Sequence, residues 1–162
     1  MPYESDPIAG KLNEIVSRNE AYMWLSWFDE LKPPDQALLG VWELANEVYN
    51  GGFLQYFHNS SRDHAKPLTG ILRSIGADRV AAIVDSAIGL AGPGTRWGDE
   101  PSYFTVIESM PAEVRDQLRA LECDLYDELD DLHRLVFRHL SQHRGESEIE
   151  APADFWTEPT TP

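Results

Sequence analysis

Glu43 and Glu47 stand four residues apart, one helical turn, just before a pair of glycines. Two carboxylates at that spacing can hold a metal or exchange protons with a substrate. With Gln55 and His58 nearby they outline one candidate centre, that of a metal-dependent or hydrolytic enzyme. No Glu-x-x-His follows to complete a two-metal bundle site, so an exposed helix face is the plainer reading. His139 and His143 have the spacing of two ligands on a zinc-binding helix. Leu140, Ser141 and Gln142 lie between them, so the glutamate of the His-Glu-x-x-His form is missing. A helix C-terminus, where histidine interacts well with the dipole, accounts for both. His58 and His64 bracket a polar turn. Cys123 lies between Glu122 and Asp124, a setting that opposes its use as a nucleophile, and no serine sits in a Gly-x-Ser-x-Gly elbow. Trp97, in a loop rich in glycine and proline, is a possible partner anchor or a packed ring. No catalytic residue, metal ligand or cofactor is assigned from these patterns.

Gly51 and Gly52 raise the question of a phosphate cradle. A P-loop requires a lysine after its glycines, and a dinucleotide loop follows a strand; neither condition holds. A folding corner explains more residues. Asn50-Gly51 supplies a left-handed helix stop, and Gly52 allows close approach where the chain reverses. Phe53, Tyr56 and Phe57 share one face of the next helix, set to pack back on Trp42 and Val48. Gln55 and Asn59 carry amides that can satisfy backbone groups at the corner.

"NGGFLQYFHN", residues 50–59, resembles the signature of a bacterial family long catalogued as a domain of unknown function, whose best-known type is a DNA-mimic protein. The resemblance runs from about Leu38 through "LRSIGADRVAAIVDSAI" and, more loosely, to about Leu140. It implies an all-helical domain, with a homodimer as a further expectation. It also implies that at least one relative sets surface carboxylates where DNA phosphates would sit and so occupies a transcription regulator.

The charge of this chain suits such a role. Twenty-eight acids against 13 Lys and Arg give a net charge of −15 over 162 residues. A polyanion is repelled by nucleic acid and by anionic membranes, so direct contact with either is disfavoured and a basic protein partner is favoured. Residues 1–98 hold 12 acids and 8 bases, whereas residues 99–162 hold 16 acids and 5 bases. The excess therefore sits with the last long helix and the tail. On that helix Val114, Leu118, Leu121, Leu125, Leu129, Leu132 and Val136 fall on one apolar face. Glu113, Asp116, Asp124, Asp127 and Asp131 form a separate outer stripe and are the candidate partner-binding residues. The stripe spans about 27 Å in an unbroken helix, one charge per ~5.4 Å against one per ~1.7 Å in duplex DNA. One helix is too dilute to imitate a duplex, so mimicry requires acids from other segments or a symmetric dimer. A solvated face that keeps the protein soluble, and a surface that neutralises a toxin, have the same composition.

These residues must be positioned by helices, since helical periodicity dominates the chain and no strand-like alternation appears. Residues 8–31 read as one amphipathic helix or two short ones. A second runs from about Asp35 to Tyr49, and a short one follows the glycines. Two more end near Gly76 and Gly92, a loop covers residues 93–101, a short helix covers 102–109, and the longest pattern runs from Pro111 to His143. The expectation is a single all-α domain of five to eight helices over residues 1–145, followed by an acidic, proline-rich tail, 146–162, that is extended or partly disordered. A lone cysteine, a start without an apolar run, and the lack of an apolar stretch of ~18 residues lead to a cytoplasmic expectation.

Overall fold

The computed structural model describes residues 6–91, 107–157 and 159. Among them the regular structure is helical throughout, with no strand. The loop read at 93–101 and Trp97 lie outside the described residues.

Helix α1, Pro7–Arg18, starts because Asp6 caps it: the Asp6 Oδ1 accepts from the Ile8 N–H at 3.0 Å, and Pro7 occupies the first turn. Ile8, Leu12, Ile15 and Val16 are its buried face. It stops at Asn19, whose side-chain amide turns back to the Ile15 carbonyl at 2.9 Å. A six-residue helix, α2, Glu20–Leu25, follows, then a 3-10 turn at Phe28–Glu30. The stretch from 8 to 31 is thus two helices and a turn, and only part of its apolar set is buried. Met23, Phe28 and Leu31 enter the core, while Trp24 and Trp27 face solvent.

Helix α3, Pro33–His58, opens on two prolines and is sharply kinked at Gly51 and Gly52. After a 3-10 turn at Ser60–His64 come α4, Ala65–Ser74, and α5, Asp78–Ala91. Between them Gly76 takes φ 84°, and the Ala77 N–H reaches the Leu72 carbonyl at 2.8 Å, the closing bond of a glycine-terminated helix. The longest helix, α6, Ala112–Gln142, is continuous over 31 residues. It packs against α3, α5 and α1, and α4 packs against α5 and α3. The apolar face read from the sequence is the one that packs. Leu118, Leu125, Leu129, Leu132 and Val136 are buried and Val114 and Leu121 half-buried, joined by Phe137 and Leu140.

The tail is extended, and its described part is docked on the body. The buried Asp35 carboxylate, at the N-terminus of α3, accepts from Ser147 Oγ at 2.5 Å and the Glu148 N–H at 3.0 Å, as well as from Tyr22 Oη at 2.8 Å. Glu150 pairs through both its backbone groups with the Asn19 amide, at 2.7 and 3.0 Å. Lys11 Nζ gathers the carbonyls of Asp154, Phe155 and Thr157 at 2.8–3.1 Å. Phe155 is buried against Phe137, ring centroids 5.5 Å apart.

Candidate partner-binding surface

The acidic stripe lies as the helical spacing requires. Glu113, Asp116, Asp124, Asp127 and Asp131 are all exposed on α6. Two are paired along the helix, Asp116 with Arg119 at 3.1 Å and Asp131 with Arg134 at 3.3 Å. Glu113, Asp124 and Asp127 form no ion pair among the described residues, and the exposed Asp130 adds a further carboxylate beside them. The acidic surface continues off the helix. A groove of about 210 Å³ between the start of α5 and α6 is bordered by Asp78, Glu128 and Asp131. Arg79 enters it and pairs with Glu128 at 2.9 Å.

The Gly-Gly corner fixes this helix in place. Gly52 adopts φ 74°, ψ −173°, a backbone region essentially reserved for glycine. Gly51, at φ −162°, is extended. The left-handed residue is therefore Gly52 and not Asn50 or Gly51, because the turn must both reverse sign and admit a neighbour at one position. That neighbour is Glu122: a Cβ on Gly52 would overlap its carboxylate. Breaking α3 here frees N–H groups after the kink and carbonyls before it. α6 supplies a partner for each. Glu122 Oε1 accepts from the Phe53 N–H at 2.8 Å, and Tyr126 Oη donates to the Val48 carbonyl at 2.9 Å. Burial raises the Tyr126 phenol above its ordinary value, with Glu122 adding to the effect, so it remains a donor.

The rest of the motif packs. Phe53, Tyr56 and Phe57 are buried and contact one another, with centroids 5.5–6.5 Å apart. Trp42 is half-buried and meets Trp24 edge-on at 5.8 Å. The amides of Gln55 and Asn59 do not serve the backbone as expected. Both donate to Glu47 Oε2, each at 2.7 Å, tying the second half of α3 to the first across the kink.

Glu43 and Glu47 are not an exposed face. Glu43 is buried and Glu47 half-buried, because α4 and the turn before it cover that side of α3. The residue that meets Glu43 is His64, not His58: Nδ1 lies 2.5 Å from Oε2, and the imidazole stacks on Phe28 at 4.2 Å. Burial raises the Glu43 carboxyl above its ordinary value, while His64 opposes the rise. The pair has the chemistry of an acid–base dyad, held inside the fold. His58 is exposed. The Tyr56 hydroxyl is buried nearby without a hydrogen-bond partner among the described residues, and burial, then Glu43 and Glu47, raise it well above the ordinary phenol value.

His139 and His143 lie ring to ring at 4.5 Å at the end of α6, with His143 Nδ1 3.1 Å from Glu146. Cys123 is exposed. Another histidine carries a richer setting. His133 is buried on α6, its Nδ1 3.2 Å from Asp6 Oδ2, and Asp130 completes a group whose ligand atoms lie within 4.8 Å of one another. Those three residues could hold a metal, although capping α1 and pairing with His133 already employ both Asp6 oxygens. Asp6 is distant in sequence from the other two, so no spacing rule finds the group.

A model of a family described as DMP19-like protein matches residues 29–143, more than two thirds of the chain. No curated protein and no solved structure matches it.

Proposed function

Because the chain belongs to the DMP19-like protein family, we propose that it is a DNA mimic: a non-enzymatic, cytoplasmic protein that occupies the DNA-binding face of a basic protein, such as a transcription regulator. The observation that supports this most is the outer face of α6. Glu113, Asp124 and Asp127 are exposed there and free of ion pairs among the described residues, on one continuous helix held by Glu122 and Tyr126. A fixed helix presents carboxylates on a backbone already ordered, so binding bears only the cost of ordering their side chains.

Density limits what one helix can do. With one acid per ~5.4 Å, and two of the five partnered by arginine, α6 alone is at least threefold sparser than a duplex. Asp78 on the groove wall adds one carboxylate outside the helix. A symmetric homodimer that sets two copies of α6 side by side supplies the rest.

The test uses a purified DNA-binding protein captured from the native cytosol by immobilised protein. Duplex DNA should displace it, and raising salt from about 50 to about 200 mM should weaken the contact steeply. The triple variant Glu113→Gln, Asp124→Asn, Asp127→Asn should lose capture while melting normally. A contact indifferent to salt, to competing duplex and to these substitutions would remove the mimic reading.

A further inference from the structure

Three large apolar side chains within four residues stand in solvent: Trp24 is 45% exposed, Leu25 85% and Trp27 76%. Among the described residues the other large exposed aromatics, Tyr49 and Tyr126, keep a polar atom for water or a hydrogen bond; these three offer almost only apolar surface. Two of them sit on ordered structure. Trp24 rests edge-on against Trp42, whose Nε1 donates to Asn13 Oδ1 at 3.0 Å. Trp27 opens the 3-10 turn, its carbonyl accepting from the Glu30 N–H at 2.9 Å. An exposed, tryptophan-rich knob is the usual anchor of a protein interface.

Its surroundings select the partner. Glu20 lies one helical turn before Trp24, and Asp29 and Glu30 come two and three residues after Trp27; all three are exposed and in no ion pair among the described residues. The nearby bases are themselves paired, Arg18 with Glu14 and Lys32 with Glu148, each at 3.4 Å. Ala21 and Tyr22, which share the face of α2 that carries Leu25, also line a groove of about 290 Å³ together with Arg18, Asn19, Glu148 and Glu150. Apolar contact is thus offered beside carboxylates. A second copy of this chain in a two-fold contact would bring the same acids face to face, and an anionic membrane would be repelled.

We propose that the Trp24–Leu25–Trp27 knob and the adjoining groove dock a basic amphipathic helical segment of a partner protein, its aliphatic face on the knob and its Lys or Arg side chains on Glu20, Asp29, Glu30 and Glu150. The knob precedes the family-matched residues 29–143 and shares no residue with the α6 stripe, so it stands whether or not the mimic reading does.

A fluorescein-labelled helical peptide of Leu and Lys, with Leu at i, i+3 and i+4, tests it by anisotropy against the full chain. Two control peptides carry Glu in place of Lys, or Gln in place of Leu. The Leu/Lys peptide should bind at least ~10-fold tighter than either control. Leu25→Ser with Trp27→Ser, both solvent-facing and so compatible with folding, should weaken it ~10-fold or more, whereas Asp124→Asn with Asp127→Asn should leave it unchanged. Equal affinity for the Glu peptide, or affinity that survives Leu25→Ser with Trp27→Ser, would overturn the proposal. Loss only with the α6 variants would place the peptide on the stripe instead. A dimer in sedimentation that those knob substitutions dissociate would make a second copy the occupant.

Discussion

The Phe53 N–H donates to Glu122 Oε1 at 2.8 Å, joining residues 69 apart in sequence. The bond puts a carboxylate at the newly opened N-terminus of the second half of α3, where exposed N–H groups and the helix dipole favour negative charge. It also fixes the rotation of α6 about its own axis, and with it the direction in which Asp124 and Asp127 point. The Gly51–Gly52 corner thus makes its contacts within the fold. It is the seat of the helix that carries the acids.

Substituting Gly52 should be costly for two separable reasons. An alanine there must hold φ 74°, and its methyl must displace the Glu122 carboxylate. The first costs on the order of 1–3 kcal/mol, and Glu122→Ala alone about 1.5–3 kcal/mol through the stranded Phe53 N–H. Urea unfolding of both single variants and of the pair should show the double loss falling short of the sum, since removing the carboxylate makes room for the methyl. Strictly additive losses would mean the two groups do not meet.

Tyr126→Phe isolates the other half of the clamp. It removes only the hydroxyl that serves the Val48 carbonyl, on a side chain that is partly exposed. A loss near ~1 kcal/mol is expected. Acidic-face binding should weaken along with it only if α6 shifts, which makes the variant a check on whether the clamp positions the stripe.

Much of this was legible in the sequence and the remainder follows a pattern. Local periodicity found α3, α5 and α6, and the seven apolar residues of α6 are its packed face, because burying a helix stripe imposes 3.6-residue spacing whatever the neighbours are. The corner at Gly51–Gly52 was legible from residue type. Which glycine takes positive φ was not, since that depends on Glu122 arriving from α6. The burial of Glu43 beneath His64 and Phe28 was likewise hidden, because a glutamate on a helix gives no local sign of what covers it. The tail is extended, as its composition implies, but its docking was not legible. Its backbone finds Asp35, Asn19 and Lys11, all near the other end of the chain, and no local pattern announces partners so distant in sequence.

The docked tail should contribute measurably to stability. Phe155→Ala removes a buried ring from against Phe137 and should cost about 3 kcal/mol. Asp35→Ala strands three donors, from Tyr22, Ser147 and Glu148, and should cost about 2–3 kcal/mol. Both substitutions should speed proteolytic cleavage within residues 147–157. A tail equally protected in either variant would show that these contacts do not hold it.

Stability should fall on mild acidification because of His133. Burial holds its imidazole below the ordinary 6.5, outweighing the upward pull of Asp6 and Asp130. The unfolded chain therefore takes up a proton as pH drops through about 6.5, while the folded chain resists until lower pH, so unfolding becomes easier across that window. Glu43 works in the opposite sense. Its carboxyl is raised above 4.5, so the folded state gains the proton first and part of the loss is offset nearer that value. Melting temperatures between about pH 7.5 and about pH 5 should slope downward in the parent protein and less so in His133→Gln, which keeps a polar partner for Asp6 but does not titrate. The contribution of Glu43 is common to both proteins and cancels in the difference. Parallel slopes would mean that His133 takes its proton as readily folded as unfolded, and that the Asp6 carboxylate fully offsets its burial.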